Sequence, residues 1–563
     1  MRDKRVVAIL LSLFLFHAVC NYFWIKKDYF SFSPEKFTTL SFEHELYLRL
    51  QKRTDNLKDF LNKCKGIIEF TFEARRSQFK IIPLYTAVFN YCFGENINNA
   101  VLSNLPFLLL AMLFVFLLGR DLFSREAGLL ASFIISFYPS FFGASRGYGV
   151  DFAEIAIVAM AFYFLVKAAN SATMKDLTTF IVMFSAAVLV TPRAAVFLIG
   201  PLFYLIYKVI QKKSSMHILK IMVVFAFPLI ITSPWWFPRK YLWWCLAPKM
   251  YILRLSNFLK LPLADTFSYV VRNYFIRAIG HISLLFTLTF VAALPFFAMR
   301  KMCCKGILTI FLLTPCFILP FFVNNFNRYF FPLFIGFALV TAVWLAGIKR
   351  RALKYTSIFL IILLSTLQFF DLSFGSHFLP YPLRKANKAV EDSIPEYEDW
   401  ARPPDFYDEG IAAQRFFDDV YAYKEGNLQD TRVLLTGRCF DIKRGVFEYV
   451  FFVRSDRDMI KSLSICSAPG YEDYDFLIVM TYRPQSDVDC DIPDVEFFKW
   501  FDCRKQSILY RYCPGPLHFS ASKREQMYEF FKRAPVLDYH IGGKYAYYLC
   551  INPKMKSKKG ASR

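Results

Sequence analysis

Between Pro83 and Asp151 the chain carries two long apolar runs that end on a carboxylate. The first passes from Pro83-Leu84-Tyr85 through Phe93-Gly94 to Leu118-Gly119-Arg120-Asp121-Leu122-Phe123. The second closes at Tyr138-Pro139, and Ser145-Arg146 then leads to Asp151. Apolar runs of about 17–25 residues are long enough to cross the hydrocarbon core of a bilayer as helices. An ionisable group kept at the end of such a helix is costly, so Asp151 is a candidate functional residue from its position alone.

With these two, runs of this kind lie at 6–24, 99–118, 127–145, 152–168, 177–192, 194–210, 218–236, 276–298, 306–323, 329–347 and 354–372. The sequence therefore predicts a polytopic α-helical membrane protein with about eleven transmembrane helices. Its 56% hydrophobic content exceeds the roughly 45–50% of soluble domains. Residues 376–563 hold 28 basic and 28 acidic residues, so the whole net charge of +23 lies in residues 1–375. Basic charge among apolar helices reads as topology and headgroup contact. No basic stripe with a nucleic-acid motif appears, and no nucleic-acid partner is expected.

Alternate loops taken as inside are 1–5, 119–126, 167–176, 208–220, 299–305 and 348–354. They hold 18 basic and four acidic residues, whereas the short outside turns hold Arg146, Arg193 and Arg328. By the positive-inside rule the N-terminus is cytoplasmic and the C-terminal part extracytoplasmic. The first apolar run is long and has no clear small-residue cleavage site after it, which favours a retained helix over a cleaved signal.

Two domains are expected: a transmembrane domain over 1–375, with a first outer loop at 26–80, and a soluble α/β domain over 376–563. Prolines 380, 382, 395, 403 and 404 mark the linker, and 432–436 and 476–480 read as strands. Residues 55–64 have a helical period suited to a membrane surface. Trp235, Trp236, Trp243 and Trp244 read first as interfacial anchors. Cysteines 439, 466, 490, 503, 513 and 550 permit disulfides in an outer domain. Their wide spacing does not suggest a zinc site, and the cysteines of residues 1–375 read as apolar packers.

Asp151 and Glu154 stand three apart at a helix start and share a face, although an acidic first turn is also favourable through the helix dipole alone. Arg146, Arg193 and Arg328 fall at one membrane level against the charge trend. Their planar forks suit bidentate phosphate recognition, with snorkelling to lipid headgroups as the plainer reading.

The ordered pieces from Pro83 to Asp151, with Thr191-Pro192-Arg193 and Asn327-Arg328-Tyr329 further on, resemble the GT-C superfamily of polyprenyl-phosphate-sugar glycosyltransferases. The protein O-mannosyltransferases and the lipid A aminoarabinose transferases are the nearest branches, and the likeness spans about residues 6–350. Members usually carry an Asp-Glu pair followed by Tyr in the first outer loop. The matching stretch here is Ser41-Phe42-Glu43-His44-Glu45-Leu46-Tyr47, which departs from that pattern.

The resemblance implies a GT-C-like fold and inverting transfer of a sugar from a polyprenyl-phosphate carrier to a hydroxyl acceptor on a glycan, lipid or protein. Glu43 or Glu45 would be general base, and Asp151 would orient the acceptor or bind the sugar. Arg146, Arg193, Arg328 and Tyr329 would meet the donor phosphate, and His44, Tyr47 and Glu154 would contact acceptor or sugar. No cofactor is required; some relatives use a divalent metal, which a few carboxylates could hold. The sequence does not separate a bacterial inner membrane from an endoplasmic reticulum membrane, and the bacterial one is favoured; membrane lipids, donor and acceptor are the expected partners. Two rival readings are a transporter or flippase of lipid-linked sugars, expected to have broken helices and internal repeats, and an inactive membrane scaffold.

Overall fold

In the computed structural model the described apolar runs of the first 375 residues are helices. The structure describes residues 2–27, 34–51, 59, 62–63, 65–67, 81–171, 173–191, 193–211, 277–300, 305–322, 330–384, 408–423, 433–437, 476–482, 536–542 and 545–551. The chain divides into two compact units, one of Met1–Lys26 with Leu46–Pro404 and one of Lys27–Glu45 with Asp405–Arg563.

The first unit holds α1 (Arg2–Lys27) up to Lys26 and the last turns of α2 (Pro34–Gln51). It continues with α3 (Ile81–Phe93), α4 (Ile97–Leu102), α5 (Leu105–Leu122), α6 (Arg125–Ser136), α7 (Pro139–Ser145), α8 (Val150–Ser171), α9 (Met174–Val190) and α10 (Ala194–Gln211). The remainder is α11 (Arg277–Met299), α12 (Lys305–Phe322), α13 (Leu333–Ala346) and α14 (Arg351–Phe374).

Among the described residues five helices are long and apolar enough to cross a membrane, or six if the bent pair α6–α7 is one span. Four further apolar helices are shorter. This is a multi-pass membrane protein, and the described residues alone do not reach the count of about eleven crossings. The helices Met174–Val190, Lys305–Phe322 and Leu333–Ala346 have described apolar lengths that fall short of a full span, and the run at 218–236 lies outside the described residues.

The motif Leu118-Gly119-Arg120-Asp121-Leu122-Phe123 turns α5 back into α6. Phe123 N and Ser124 N donate to Gly119 O, and the Ser124 side chain caps α6 by accepting from Ala127 N. A Cβ built on Gly119 would lie 2.6 Å from Gly128 Cα, so the two helices touch backbone to backbone and the pair of glycines permits it. Lys354 Nζ reaches Glu126 Oε2 at 2.6 Å and ties the start of α14 to the start of α6.

The Tyr138-Pro139 pair ends α6. Proline offers no N–H and cannot continue a helix, but it suits the first turn of a new one. The chain bends by 68° there, and α7 begins with Pro139. α8 follows and is enclosed on most sides, packing against α5, α9 and α10. Phe162 of α8 stacks on Phe311 of α12 with ring centres 4.2 Å apart. α11 contains Ser283 at φ 74°, ψ 162°, a left-handed backbone for a residue with a side chain, and the helix kinks there.

The second unit includes the start of α2, from Pro34 to Glu45, then α15 (Asp408–Tyr423) and a four-stranded sheet. The sheet comprises β1 (Val433–Gly437), β2 (Phe476–Tyr482), β3 (Val536–Gly542) and β4 (Tyr545–Ile551) in the order β1-β2-β4-β3. β1 and β2 run parallel, and β4 is antiparallel to both its neighbours. Strands were expected at 432–436 and 476–480, and β1 and β2 stand there. A parallel pair needs a long crossover connection, and 38 residues separate β1 from β2.

Candidate functional site

At the start of α8 the sequence places two carboxylates one turn apart, and the fold brings a third charged group to them from 39 positions down the chain. Arg193 stands between the end of α9 and the start of α10. Its Nε donates to Glu154 Oε2 at 2.7 Å, and its Nη2 donates to Asp151 Oδ1. Glu154 is 1% exposed and Asp151 7%. Buried carboxylates are tolerated where they are paired and hydrogen-bonded, and Arg193 provides a guanidinium to both. Asp151 also lies in the first turn of its helix, where the dipole favours a negative charge.

The turn before α8 is fixed from α5's end of the bundle. Asn104 Nδ2 donates to Gly147 O at 2.7 Å. A Cβ built on Gly149 would meet nothing within 4 Å, so space lies open in front of the first turn of α8.

Arg146, expected beside Arg193, lies in a different environment. It is fully buried at the end of α7. Its Nε donates to Asn21 Oδ1 of α1 at 2.8 Å and its Nη1 to Ser373 Oγ of α14 at 2.9 Å. Asn21 Nδ2 in turn donates to Ser145 Oγ at 2.8 Å. The guanidinium carbon lies 5.0 Å from the ring centre of Phe142, 5.2 Å from Phe369 and 5.3 Å from Trp24, within cation–π range.

A second polar pair lies further along α7, where Ser140 Oγ and His281 Nδ1 of α11 share a hydrogen bond at 2.6 Å. Ser283 Oγ donates to Gln368 Oε1 of α14 at 3.1 Å, beside the kink. Asn21, His281, Ser283, Gln368 and Ser373 were not singled out from the sequence. Each is a polar residue inside or at the end of an apolar run, which was the available signal.

Glu43, His44 and Tyr47 share α2, and all three are buried. Glu43 and His44 belong to the second unit and Tyr47 to the first. Gln51 Nε2 donates to Tyr47 OH at 2.6 Å. Glu45 lies on the same helix, whereas Arg328 and Tyr329 lie outside the described residues, as do the four tryptophans of 235–244. Among the expected site residues the structure thus brings together Asp151, Glu154 and Arg193, while the hydrogen bonds described for Arg146 go to Asn21 and Ser373. For a divalent metal, Asp151 and Glu154 would offer oxygen donors, but Arg193 already lies against both. Among the described residues no three His, Cys, Asp or Glu side chains gather as a ligand set.

Residues 81–237 match the family model described as dolichyl-phosphate-mannose-protein mannosyltransferase. No curated protein matches the sequence. Among solved structures, ArnT from Cupriavidus metallidurans bound to undecaprenyl phosphate aligns with a TM-score of 0.54 at 11% identity, over 97% of this chain and 98% of that one. The same protein in the apo state aligns at 0.51 and 10%, over 98% of each chain. Archaeal oligosaccharyltransferase AglB from Archaeoglobus fulgidus, in complex with an inhibitory peptide and a dolichol-phosphate, aligns at 0.46 and 13%, over 84% and 69%, too distantly to argue from. The chain shares the fold of ArnT over nearly its whole length, and the resemblance to GT-C polyprenyl-phosphate-sugar glycosyltransferases read from the sequence is borne out.

Proposed function

We propose that this protein is a membrane glycosyltransferase that moves a sugar from a polyprenyl-phosphate carrier to a hydroxyl acceptor at the outer membrane face, with inversion. One observation carries the reading: the segment that matches the mannosyltransferase family contains Asp151, Glu154 and Arg193, and the fold draws these three residues into one cluster.

In this reading Glu43 or Glu45 takes the proton of the acceptor hydroxyl. The acceptor oxygen bonds to the anomeric carbon from the face opposite the phosphate. The bond from that carbon to the phosphate oxygen breaks, and its electron pair leaves with the carrier as polyprenyl phosphate. Asp151 orients the acceptor or holds the sugar, with His44, Tyr47 and Glu154 as further contacts. Arg328, Tyr329 and Arg193 meet the charge that grows on the departing phosphate. Arg146, bonded to Asn21 and Ser373, holds α7 in place between α1 and α14. The acceptor is a glycan, a lipid or a protein, and a bacterial inner membrane is the proposed setting.

A transporter of lipid-linked sugars is the second reading. The broken span at Tyr138-Pro139 and the kink at Ser283 are features such proteins use. Native mass spectrometry with added undecaprenyl phosphate, comparing wild type with Arg328→Ala, tests the shared part of both readings. Saturable, arginine-dependent binding is expected. Binding no stronger than that of ordinary phospholipids would remove the transferase reading. Release of free polyprenyl phosphate from a sugar-loaded carrier, which a transporter would not cause, separates the two.

A further inference from the structure

Arg193 meets α8 through Nε and Nη2, the two nitrogens on one edge of the guanidinium. That edge is the one that grips a carboxylate or phosphate by two parallel hydrogen bonds. Here each half of it goes to a different carboxylate, Nε to Glu154 and Nη2 to Asp151. Both carboxylates are buried, and attraction between charges is stronger there than in water. A phosphate gripping that edge by two parallel bonds must displace both of them.

We propose that Glu154 is a positioning residue that keeps the phosphate-gripping edge of Arg193 occupied until a polyprenyl phosphate arrives. The site is then held shut by its own carboxylates, and the lipid phosphate opens it by exchange. Asp151 loses its hold on Arg193 in the same exchange, so its carboxylate is released toward an acceptor hydroxyl only once the donor is seated. Donor arrival and acceptor readiness are thereby coupled, and the donor binds first. This inference rests on the reading that Arg193 meets the donor phosphate.

The full-length protein in lipid nanodiscs would be titrated with undecaprenyl phosphate as wild type, Glu154→Gln, Arg193→Ala and the double variant. Glutamine keeps the size and an acceptor oxygen but removes the charge, and a charge-assisted bond is roughly twice as strong as a neutral one. Glu154→Gln should therefore bind the carrier about five- to tenfold more tightly, and Arg193→Ala should bind it at least about tenfold more weakly. The double variant separates exchange from simple charge repulsion. Exchange predicts no gain from Glu154→Gln once Arg193 is absent, whereas long-range repulsion predicts the same gain.

Unchanged or weaker binding in Glu154→Gln, with Arg193→Ala still impaired, would overturn the inference and leave Arg193 at the phosphate. A gain that persists in the double variant would also overturn it. Wild-type binding in Arg193→Ala would remove both the inference and that part of the proposed site. Should Glu154→Gln fail to fold, Asp151→Asn frees the other half of the edge and must likewise tighten carrier binding.

Discussion

Arg146 and Arg193 look alike in the sequence: each follows an apolar run, each faces outward against the charge trend, and each sits near a helix start. Their surroundings differ in kind. Arg146 is enclosed by Trp24, Phe142 and Phe369 and donates to the neutral side chains of Asn21 and Ser373. Arg193 is shared between two carboxylates on the first turn of α8. Hydrogen bonds to Asn21 and Ser373 and the faces of three rings join three helices through one guanidinium. Carboxylates are chemical stand-ins for a phosphate, and a guanidinium held by them can change partners. A charged side chain inside a membrane protein is thus a functional candidate by position, but its partners decide between a joint and a site.

Variants at the two arginines should therefore move different quantities. The largest expected effect is on chemistry. Asp151→Asn should lower sugar transfer about 10²-fold through lost positioning, measured as polyprenyl phosphate released, while the thermal midpoint in detergent stays close to wild type. Glu43→Gln should leave carrier binding unchanged and abolish transfer. Full turnover in that variant would move the base to Glu45 or Asp151.

Arg146→Ala should act on the fold instead. It leaves Asn21 and Ser373 buried without their donor and opens a cavity among three rings, a loss of about 3 kcal/mol or more. Thermal unfolding should show the loss, and the folded fraction should bind undecaprenyl phosphate as wild type does. A selective loss of carrier binding at unchanged stability would erase the distinction between the two arginines. Asn21→Ala breaks the bonds to Arg146 and Ser145 together and should cost about 1–3 kcal/mol, again with carrier binding per folded molecule intact.

The smallest effect sharpens the comparison away from both arginines. Asp176, at the start of α9, accepts from Ser171 and Thr173, with Lys167 nearby, and these hydrogen bonds hold its carboxyl below the ordinary value of 3.8. A depressed carboxylate contributes stability above that ordinary value and loses it as pH falls through the folded-state value. Asp176→Asn should be slightly less stable than wild type at neutral pH. The gap should close as the pH is taken below 3.8, as unfolding curves at a series of pH values would show.

Local features of the fold were legible in the sequence. Asp151 and Glu154 share a helix face because they stand three apart, and the Tyr138-Pro139 break follows from what proline cannot do. The glycines at 119 and 128 mark the tight return of α5 into α6. Long-range partnerships were not legible. Asn21 and Ser373 stand 125 and 227 positions from Arg146, and no periodicity joins them. Arg193 reaches Asp151 and Glu154 through the return of α9, so charge and level suggested a phosphate ligand and gave no hint of its two carboxylate partners. The kink at Ser283 was not legible either, because a serine in an apolar run does not announce a non-helical backbone. Among the described residues five or six helices have the length and apolarity of a full span, because hydropathy finds apolar runs but does not fix how far each helix extends.

The most direct measurement is carrier release. Purified protein in nanodiscs would receive polyprenyl-phosphate mannose or polyprenyl-phosphate aminoarabinose, with a detergent extract of membranes as acceptor source, and free polyprenyl phosphate would be counted. The account predicts protein-dependent release from one of these donors, lost in Asp151→Asn. Tight binding of the carrier with no release from either donor would contradict it.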